Sequence, residues 1–501
     1  MIKKFLSDQL KVKIYRTPEI VGQQAAFECF MRVRDLLLEQ DEVTVAFVCS
    51  EEMVPMYKEL SKLQDAGWDK VNAFFLYSGM SQPDKTISKM IEKLKFGSCA
   101  HIGGTTKNLQ TQSDKLRKKF QKDELDIVCV PLKDRELDGL YSGSEQEEES
   151  ELVKMVGQSS VVFTLAALRC ASYIYAIAQG KHNRDGAFEV VRGNAAKTCS
   201  ASILRHLDHA TLYCDKDAGE RLIVRKSVIT DEISEDFETA LSFAKEHEIE
   251  GVELRWIGEK PAYEADLQEK KKMKALLEQY QLKVTCIASW IFRCELEQSE
   301  IDRNLDMLKQ AVSFAKEFGA PYLRIYSFLA KGDFSKVEDD IIEVLKAAAL
   351  YAKQNGVVLV LENEASVYAT NGEMTSTLVK KIGMESMRCL WDPCNNLLDP
   401  DNETPYPTGY QFVKNHYTHM HLKDAEKSGG ELNPVPLGEG EEYDIQSQLK
   451  GILLEGYDGF VSLEGDFRHN LSYEYGQDSR ALLEENLTQL HDMLMEVIDE
   501  M

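Results

Sequence analysis

One unit of the chain, VEDDIIEVLKAAALYAKQNGVVLVLEN at Val337–Asn363, contains the pattern that decides the fold. Apolar residues recur every three or four positions over Val337–Gln354, which is the period of an amphipathic helix. Gly356 follows, where a residue without a Cβ can take the left-handed conformation that ends many helices. The apolar run Val357–Asn363 then predicts a buried strand. A helix followed by a buried strand is typical of a sheet covered by helices.

The same alternation continues from about Ser227 to the C-terminus. The predicted strands are Ser227–Thr230, Val252–Trp256, Lys283–Ser289, Tyr322–Phe328, Val357–Asn363, Arg388–Pro393, Tyr417–Asp424 and Gly459–Asp466. Amphipathic helices occupy most of the gaps, for example Phe237–Glu248 and Ile301–Phe318, and Ser479–Met501 supplies the last helix. Eight such units over about 275 residues predict a (β/α)₈ barrel. A doubly wound open sheet is the alternative.

The first half of the chain alternates less regularly and predicts an open α/β domain. Its strands are predicted at Val43–Cys49, Val71–Tyr77, Asp126–Pro131, Tyr173–Ala178 and Ala210–Cys214, with helices such as Ile20–Glu39 and Val54–Lys62 between them. The polar and basic stretch Asp215–Lys226 is the predicted joint. We therefore expect one domain over residues 1–222 and the barrel over residues 227–501.

Composition limits the classes of function. The chain of 501 residues is 43% hydrophobic and 29% charged, as in soluble globular proteins. A formal net charge of −25 argues against a nucleic-acid partner, which needs a basic surface. The eleven cysteines form no CxxC pair, which makes a disulfide framework or structural zinc site unlikely. Without a signal peptide or a membrane span in the sequence, we expect a cytoplasmic protein with a small-molecule partner and leave a homo-oligomer open.

Four polar residues end four successive predicted strands of the barrel. They are Glu362, Asp392, His421 and Glu464. Because chemistry in a barrel lies at the C-terminal ends of its strands, these residues should converge on one rim. Like charges held that close require a compensating cation. Three carboxylates and one imidazole suit a divalent metal such as Mn²⁺, Mg²⁺, Co²⁺ or Zn²⁺.

These residues lie within motifs that resemble the sugar phosphate isomerase/epimerase family, the xylose isomerase-like barrels. The motifs are Val252-Glu-Leu-Arg255, Leu361-Glu-Asn363, Trp391-Asp-Pro-Cys-Asn395, His419-Met-His-Leu-Lys-Asp424, Leu437-Gly-Glu-Gly440 and Ser462-Leu-Glu464. The resemblance implies that Glu362, Asp392, His421 and Glu464 are metal ligands. It further implies that Glu362 and Glu464 act as base and acid on opposite faces of the substrate.

The metal would then polarise the oxygens of an open-chain sugar and stabilise an enediolate as a proton leaves carbon. Other polar or aromatic residues near strand ends are candidates for substrate binding: Arg255, Trp290, Arg324, Asn363, Asn395, His419 and Lys423. Glu364 stands where relatives often have histidine, so substrate contacts differ there.

Three other functions are considered, of which two remain open and one is disfavoured. A dehydratase or lyase could use the same metal site, and a sugar-binding or scaffold protein could use the barrel without turnover. Related DNA-repair endonucleases need extra histidine ligands at the second and third strand ends, where Glu253 and Ala288 stand. Together with the acidic charge, this argues against an endonuclease.

The first 220 residues or so resemble glucosamine-6-phosphate deaminase and 6-phosphogluconolactonase. The resemblance is carried by Glu19-Ile-Val-Gly-Gln-Gln-Ala-Ala26, Val54-Pro-Met-Tyr-Lys-Glu-Leu60, Gly180-Lys-His-Asn-Arg184 and Ser200-Ala-Ser-Ile-Leu204. Ser50-Glu-Glu52 replaces the family's phosphate loop, and its catalytic groups are replaced near Tyr77-Ser78 and Arg135-Glu-Leu137. Arg184 alone keeps a basic group where the family binds phosphate. We therefore expect a degenerate, non-catalytic domain.

Overall fold

The computed structural model describes residues 1–63, 67–77, 87, 89–90, 92–102, 125–138, 153–156, 160–193, 199–428, 431–465 and 477–501. Contacts divide the chain into two compact units, Met1–Ile223 and Val224–Met501. Among the described residues, no helix combines the length and apolar composition needed to cross a membrane.

The N-terminal unit is an open α/β structure. Its strands are β1 (Lys3–Ser7), β2 (Leu10–Tyr15), β3 (Val43–Cys49), β4 (Val71–Tyr77), β5 (Ser98–Ile102), β6 (Ile127–Lys133), β7 (Glu136–Leu137), β8 (Val153–Val156), β9 (Ser160–Phe163), β10 (Tyr173–Ala178) and β11 (Ala210–Asp215). The main sheet has the order β1-β2-β11-β10-β6-β3-β4-β5, with β7 beside β6, and β8 pairs with β9 separately. From β2 to β5 every neighbouring pair is parallel.

Helices cover this sheet at Pro18–Leu36, Val54–Leu60, Leu165–Cys170, Arg184–Arg192 and Glu220–Ile223. The first begins where the Thr17 side chain accepts from the N–H of Ile20 and a proline takes the first helical position. Shorter 3₁₀ turns lie at Glu51–Met53, Trp68–Lys70, Glu92–Leu94, Lys181–Asn183 and Ser200–His206.

The sequence-based prediction of this unit missed the β1–β2 hairpin and the edge strand β5. Buried and exposed residues alternate along β1. The lysines near the N-terminus hide this alternation when only the hydrophobicity of the residues is considered. The five strands that were predicted are all present. Ser78, part of the expected replacement of catalytic groups, lies outside the described residues.

The C-terminal unit contains the predicted closed barrel of eight parallel strands. Its strands, with two pairs of short flanking strands included, are β12 (Arg225–Ile229), β13 (Gly251–Leu254), β14 (Trp256–Ile257), β15 (Lys260–Pro261), β16 (Lys283–Ile287), β17 (Tyr322–Ile325), β18 (Val358–Glu362), β19 (Met387–Trp391), β20 (Tyr417–Leu422), β21 (Asp424–Ser428), β22 (Glu431–Val435) and β23 (Phe460–Leu463). The barrel runs β12-β13-β16-β17-β18-β19-β20-β23, and β23 pairs with β12 to close it. Of the flanking strands, β14 pairs with β15 and β21 with β22.

Closure excludes the open-sheet alternative. Several strands end one to three residues before the predicted ends, because the polar residues there belong to the loops above the barrel. Asp466, the predicted end of the last strand, lies outside the described residues.

Helices alternate with these strands as predicted. They are Thr230–Ile233, Phe237–Glu246, Leu267–Tyr280, Gln298–Phe318, Glu338–Gln354, Gly372–Ile382, Tyr410–Val413, Ile445–Leu454 and Gln477–Glu500, with short 3₁₀ or π turns at Ala262–Glu264, Phe334–Lys336, Asn395–Leu398 and Pro405–Gly409. Gly319 ends its helix at a φ of 67°, a left-handed conformation that glycine adopts without a Cβ clash.

Candidate metal centre

The four predicted ligands come together at the C-terminal end of the barrel. Glu362 is the last residue of β18, His421 lies in β20, and Asp392 and Glu464 directly follow β19 and β23. Each offers one ligand atom, and these atoms all lie within 4.8 Å of one another. All four residues are at most 5% exposed. Parallel strands of similar length bring their ends to one rim, so the placement follows from the barrel itself.

Charged groups are packed closely in this cluster. Nδ1 of His421 is 2.8 Å from Oε1 of Glu362 and 3.5 Å from Oε2 of Glu464. Nζ of Lys423 donates a hydrogen bond of 2.9 Å to Oε2 of Glu464 and lies 3.2 Å from Oδ2 of Asp392. Lys423 therefore contacts one carboxylate oxygen of each of two candidate ligands.

Two buried arginines flank the cluster. Nη1 of Arg324 is 3.2 Å from Oε2 of Glu362, and backbone carbonyls of Ala288 and Ser289 accept from the same guanidinium. Arg255 is held between Asp231 and Glu232, at 3.1 and 3.0 Å, and reaches to 3.8 Å from Glu464. Both arginines thus have fixed positions before any substrate arrives.

The surroundings shift the pKa of each candidate ligand. Burial opposes ionisation of Glu362, but Arg324 and His421 outweigh it and lower the carboxyl pKa. Burial likewise opposes ionisation of Glu464, where Lys423 and His421 lower the pKa well below its usual range. Burial raises the pKa of Asp392 to about 6, with Lys423 acting against the shift. For His421, burial disfavours the cation, but Glu253 and Glu362 raise the pKa well above the usual value.

A divalent cation fits this arrangement. Six buried carboxylates (Asp231, Glu232, Glu253, Glu362, Asp392 and Glu464) surround three permanently charged side chains (Arg255, Arg324 and Lys423). Among the described residues, Oδ2 of Asp392 and both ring nitrogens of His421 are buried without a well-aligned hydrogen bond. Excess negative charge, together with buried carboxylate and imidazole groups, is what a hard or borderline divalent ion requires.

A cavity of about 260 Å³ opens above the cluster. It is lined by Arg255, Trp290, Arg293, Arg324, Tyr326, Glu362, Glu364, Asn395, Lys423 and Glu464. The size is slightly below the range of about 300–1,000 Å³ for typical ligand pockets, which suits a small polar molecule. Five of the seven residues predicted to bind substrate line this cavity: Arg255, Trp290, Arg324, Asn395 and Lys423.

The other two predicted substrate residues, Asn363 and His419, are not among the residues that line the cavity. The amide of Asn363 is completely buried, donates to the backbone carbonyl of Asp392 and accepts from its N–H. His419 is also buried, and its Nε2 lies 2.7 Å from Oε1 of Glu253. Asn363 holds the loop that carries Asp392, and His419 lies two residues before His421 on the same strand; a substrate contact for either residue stays a prediction.

Sequence reasoning missed several residues of the site. Asp231 and Glu232 lie in the short helix Thr230–Ile233, which begins directly after β12, so a search extended a few residues past each strand end would also have found them. Tyr326 follows β17 and donates a hydrogen bond of 2.7 Å to Oε2 of Glu362. Glu253 drew notice in the sequence only because it is not a histidine. Its position two residues before Arg255 nevertheless places both side chains on the same face of the chain, which is the inward face at β13.

A larger cavity of about 900 Å³ lies at the opposite end of the barrel. Its lining includes the first residues of five strands: Arg225, Lys283, Tyr322, Tyr417 and Phe460. Size favours this cavity, but the charged cluster lies at the other end. We place the candidate site at the charged cluster, because residues at the N-terminal end of a barrel typically contribute to stability.

In the N-terminal unit, the position of the expected phosphate loop is acidic. Glu51 and Glu52 form a 3₁₀ turn directly after β3, and Nε2 of His182 lies 3.9 Å from Oε1 of Glu52. Arg184 pairs with Asp185 at 3.1 Å and with Glu220 at 3.3 Å. The one basic group expected to be retained is thus bound by neighbouring carboxylates.

Comparison with known proteins gives a match for each half of the chain. The profile of the xylose isomerase-like TIM barrel family matches residues 241–488. A xylose isomerase domain protein from Planctomyces limnophilus is similar over 55% of this chain and 98% of its own, with 15% identity and a TM-score of 0.44.

The N-terminal part is similar to two solved structures of the expected kind. A 6-phosphogluconolactonase from Thermotoga maritima aligns with 41% of this chain and 100% of its own, at 15% identity and a TM-score of 0.36. A monomeric glucosamine-6-phosphate deaminase aligns with 42% of this chain and 98% of its own, at 14% identity and a TM-score of 0.34. No curated protein matches the sequence.

Proposed function

We propose, from the premise that the C-terminal half of the chain is a xylose isomerase-like TIM barrel, that this half is a metal-dependent sugar or sugar phosphate isomerase or epimerase. One observation carries the proposal: Glu362, Asp392, His421 and Glu464 bring four ligand atoms within 4.8 Å of one another at the catalytic end of the barrel. A divalent cation bound there would polarise carbonyl and hydroxyl oxygens of an open-chain sugar and so acidify the neighbouring C–H.

Glu362 and Glu464 are the proposed proton carriers. The pKa of each is lowered, by Arg324 and by Lys423 respectively against the effect of burial, so both are ionised at neutral pH. An ionised carboxylate can accept the proton, and the resulting acid can return one to the enediolate. The low pKa weakens each base, which the acidified C–H offsets. Two carboxylates at one small cavity allow removal and return of the proton on different faces.

The side chains that line the cavity are proposed to bind the sugar. Lys423 and Asn395 lie beside the cluster, where they can donate to hydroxyl oxygens. Trp290 is 36% exposed and packs edge-on against Trp256, with ring centroids 6.0 Å apart. The exposed part of its ring can contact the apolar face of a sugar.

The N-terminal unit is proposed to be non-catalytic. Any phosphate at the former loop would meet Glu51 and Glu52, and Arg184 is already paired with two carboxylates. Two carboxylates would repel a phosphate by about 1 kcal/mol per pair at 4 Å in water. The unit keeps an α/β framework without the charges for the relatives' chemistry, which leaves binding or assembly as its role.

Solvent exchange of a substrate C–H proton tests the proposal. The full chain is loaded with Mn²⁺ and incubated in D₂O with ketoses, keto-inositols and their phosphates, and the products are examined by mass spectrometry and NMR. Deuterium at one carbon with conserved mass is the expected result for an isomerase or epimerase. Loss of water would instead establish a dehydratase, and binding without exchange would establish a sugar-binding protein.

Metal content provides the second test. Protein purified without chelator should contain about one equivalent of divalent metal, and His421→Ala should lose it. Full metal content in that variant would contradict the ligand assignment.

A further inference from the structure

We propose that Glu253 is a positioning residue that holds His421 with Nδ1 free to bind the metal, and that His419 steadies Glu253 in that position. The inference rests on the proposed metal site. It concerns a pair of buried residues, Glu253 and His419, that lie below the candidate ligands and do not line the cavity.

Glu253 connects two histidines across the barrel. It lies in β13, which is not a neighbour of β20, the strand that carries both His419 and His421. One oxygen, Oε1, lies 2.7 Å from Nε2 of His419 and 3.3 Å from Nε2 of His421. All three side chains are completely buried. A single carboxylate oxygen therefore faces the same nitrogen of both rings.

Glu253 faces Nε2 of His421, whereas Nδ1 faces the candidate ligands. The carboxylate of Glu253 accepts hydrogen bonds only, so it favours a proton on Nε2 of His421. On the other side of the ring, Glu362 and Glu464 lie 2.8 Å and 3.5 Å from Nδ1. A cation bound among these carboxylates would take the place of a proton on Nδ1, and the single N–H of the ring would then point to Glu253.

The contacts of the buried Glu253 carboxylate are mainly with the two histidines. Among the described residues, its second oxygen, Oε2, has no hydrogen-bonding partner. Asp231 and Glu232 both contact Arg255, whereas the ion pairs of Glu253 are with the two histidines. Carboxylates that hold a metal-bound histidine fix its orientation and make the ring a stronger ligand. His419 supplies the second contact that keeps the carboxylate in place.

The test compares Mn²⁺ binding by the full chain with that of Glu253→Gln. Glutamine keeps the shape but removes the charge. Removing such a supporting carboxylate lowers metal affinity by about 10- to 100-fold, which isothermal titration would measure. Glu250→Gln is the matched control: it lies just before the same strand, pairs with Arg225 at 3.2 Å at the opposite end, and should bind Mn²⁺ as the wild type does.

Two results would overturn the inference alone. One is wild-type affinity in a folded Glu253→Gln variant. The other is binding of two equivalents of Mn²⁺ by the wild type, because Glu253, His419 and His421 would then hold a second ion as ligands. Absence of Mn²⁺ binding by the wild type would overturn the proposed function as well.

A second measurement reports the position of the proton in the wild type. Protein labelled with ¹⁵N-histidine and loaded with Mg²⁺ should show His421 protonated at Nε2 and bare at Nδ1, with the signal assigned by its loss in His421→Gln. A proton on Nδ1 would refute the proposed role of Glu253.

Discussion

Replacing Tyr326 with phenylalanine tests whether Glu362 depends on its hydrogen bonds. The variant removes one hydroxyl, which donates at 2.7 Å to Oε2 of Glu362, and keeps a ring that is only 5% exposed. A hydrogen bond to a charged group contributes about 1.5–3 kcal/mol to stability. Since Arg324 still contacts the same oxygen at 3.2 Å, we expect the lower part of that range.

Thermal unfolding of the metal-free protein measures this loss. For a domain of this size 1 kcal/mol moves Tm by about 2 °C, so a loss in the lower part of that range should lower the Tm of the barrel transition in Tyr326→Phe by about 3–4 °C. Tyr410→Phe is the control, because its hydroxyl meets the neutral hydroxyl of Tyr417 at 3.3 Å and should contribute about 0.5–1.5 kcal/mol. An unchanged Tm in Tyr326→Phe, or an equal loss in both variants, would refute the claim that this bond supports a buried charge.

Three further predictions concern catalysis, pH and the first domain. Glu362→Gln and Glu464→Gln should each lower turnover by about 10²-fold or more while metal occupancy, measured by elemental analysis, falls far less; wild-type rates in both variants would exclude proton transfer by these residues. Burial raises the pKa of Asp392 to about 6, so protons should compete with the metal below that pH. The pKa of His421 is also raised well above its usual value, so this ligand too must lose a proton before it binds the ion. Mn²⁺ affinity should therefore weaken on acidification, most steeply as pH falls through about 6, and an affinity that rises on acidification would contradict this. Residues 1–222 expressed alone should release no ammonia from glucosamine 6-phosphate and should not hydrolyse 6-phosphogluconolactone; ammonia release abolished by Arg184→Ala would show a working active site.

The alternation of helix and strand predicted the barrel because each strand is buried on both faces and is therefore apolar throughout. The same rule located Glu362, Asp392, His421 and Glu464, since a polar residue that interrupts such a run is conspicuous. For Asn363 the sequence shows a polar residue at a strand end but not that its amide is bound to the backbone of Asp392.

Contacts across the barrel are what the sequence could not supply. Glu253 and His419 are 166 positions apart in the chain, and their contact exists only because two non-adjacent strands face each other inside the barrel. The β1–β2 hairpin was missed for a different reason, since each of its strands exposes one face and contains lysines.

Pairing of β12 with β23 has a consequence for the order in which the protein becomes functional. This pairing brings Arg255 to 3.8 Å from Glu464 and the N–H of Gly465 to the carboxylate of Glu232, so residues from the start of the barrel meet those from its end. During synthesis, a ribosome would release Glu464 long after Asp231, Glu232 and Arg255. A nascent chain that stops before β23 holds three of the four candidate ligands and lacks the fourth. Binding of the ion would then show that the barrel has closed, and the rate of binding would report the rate of this last step of folding.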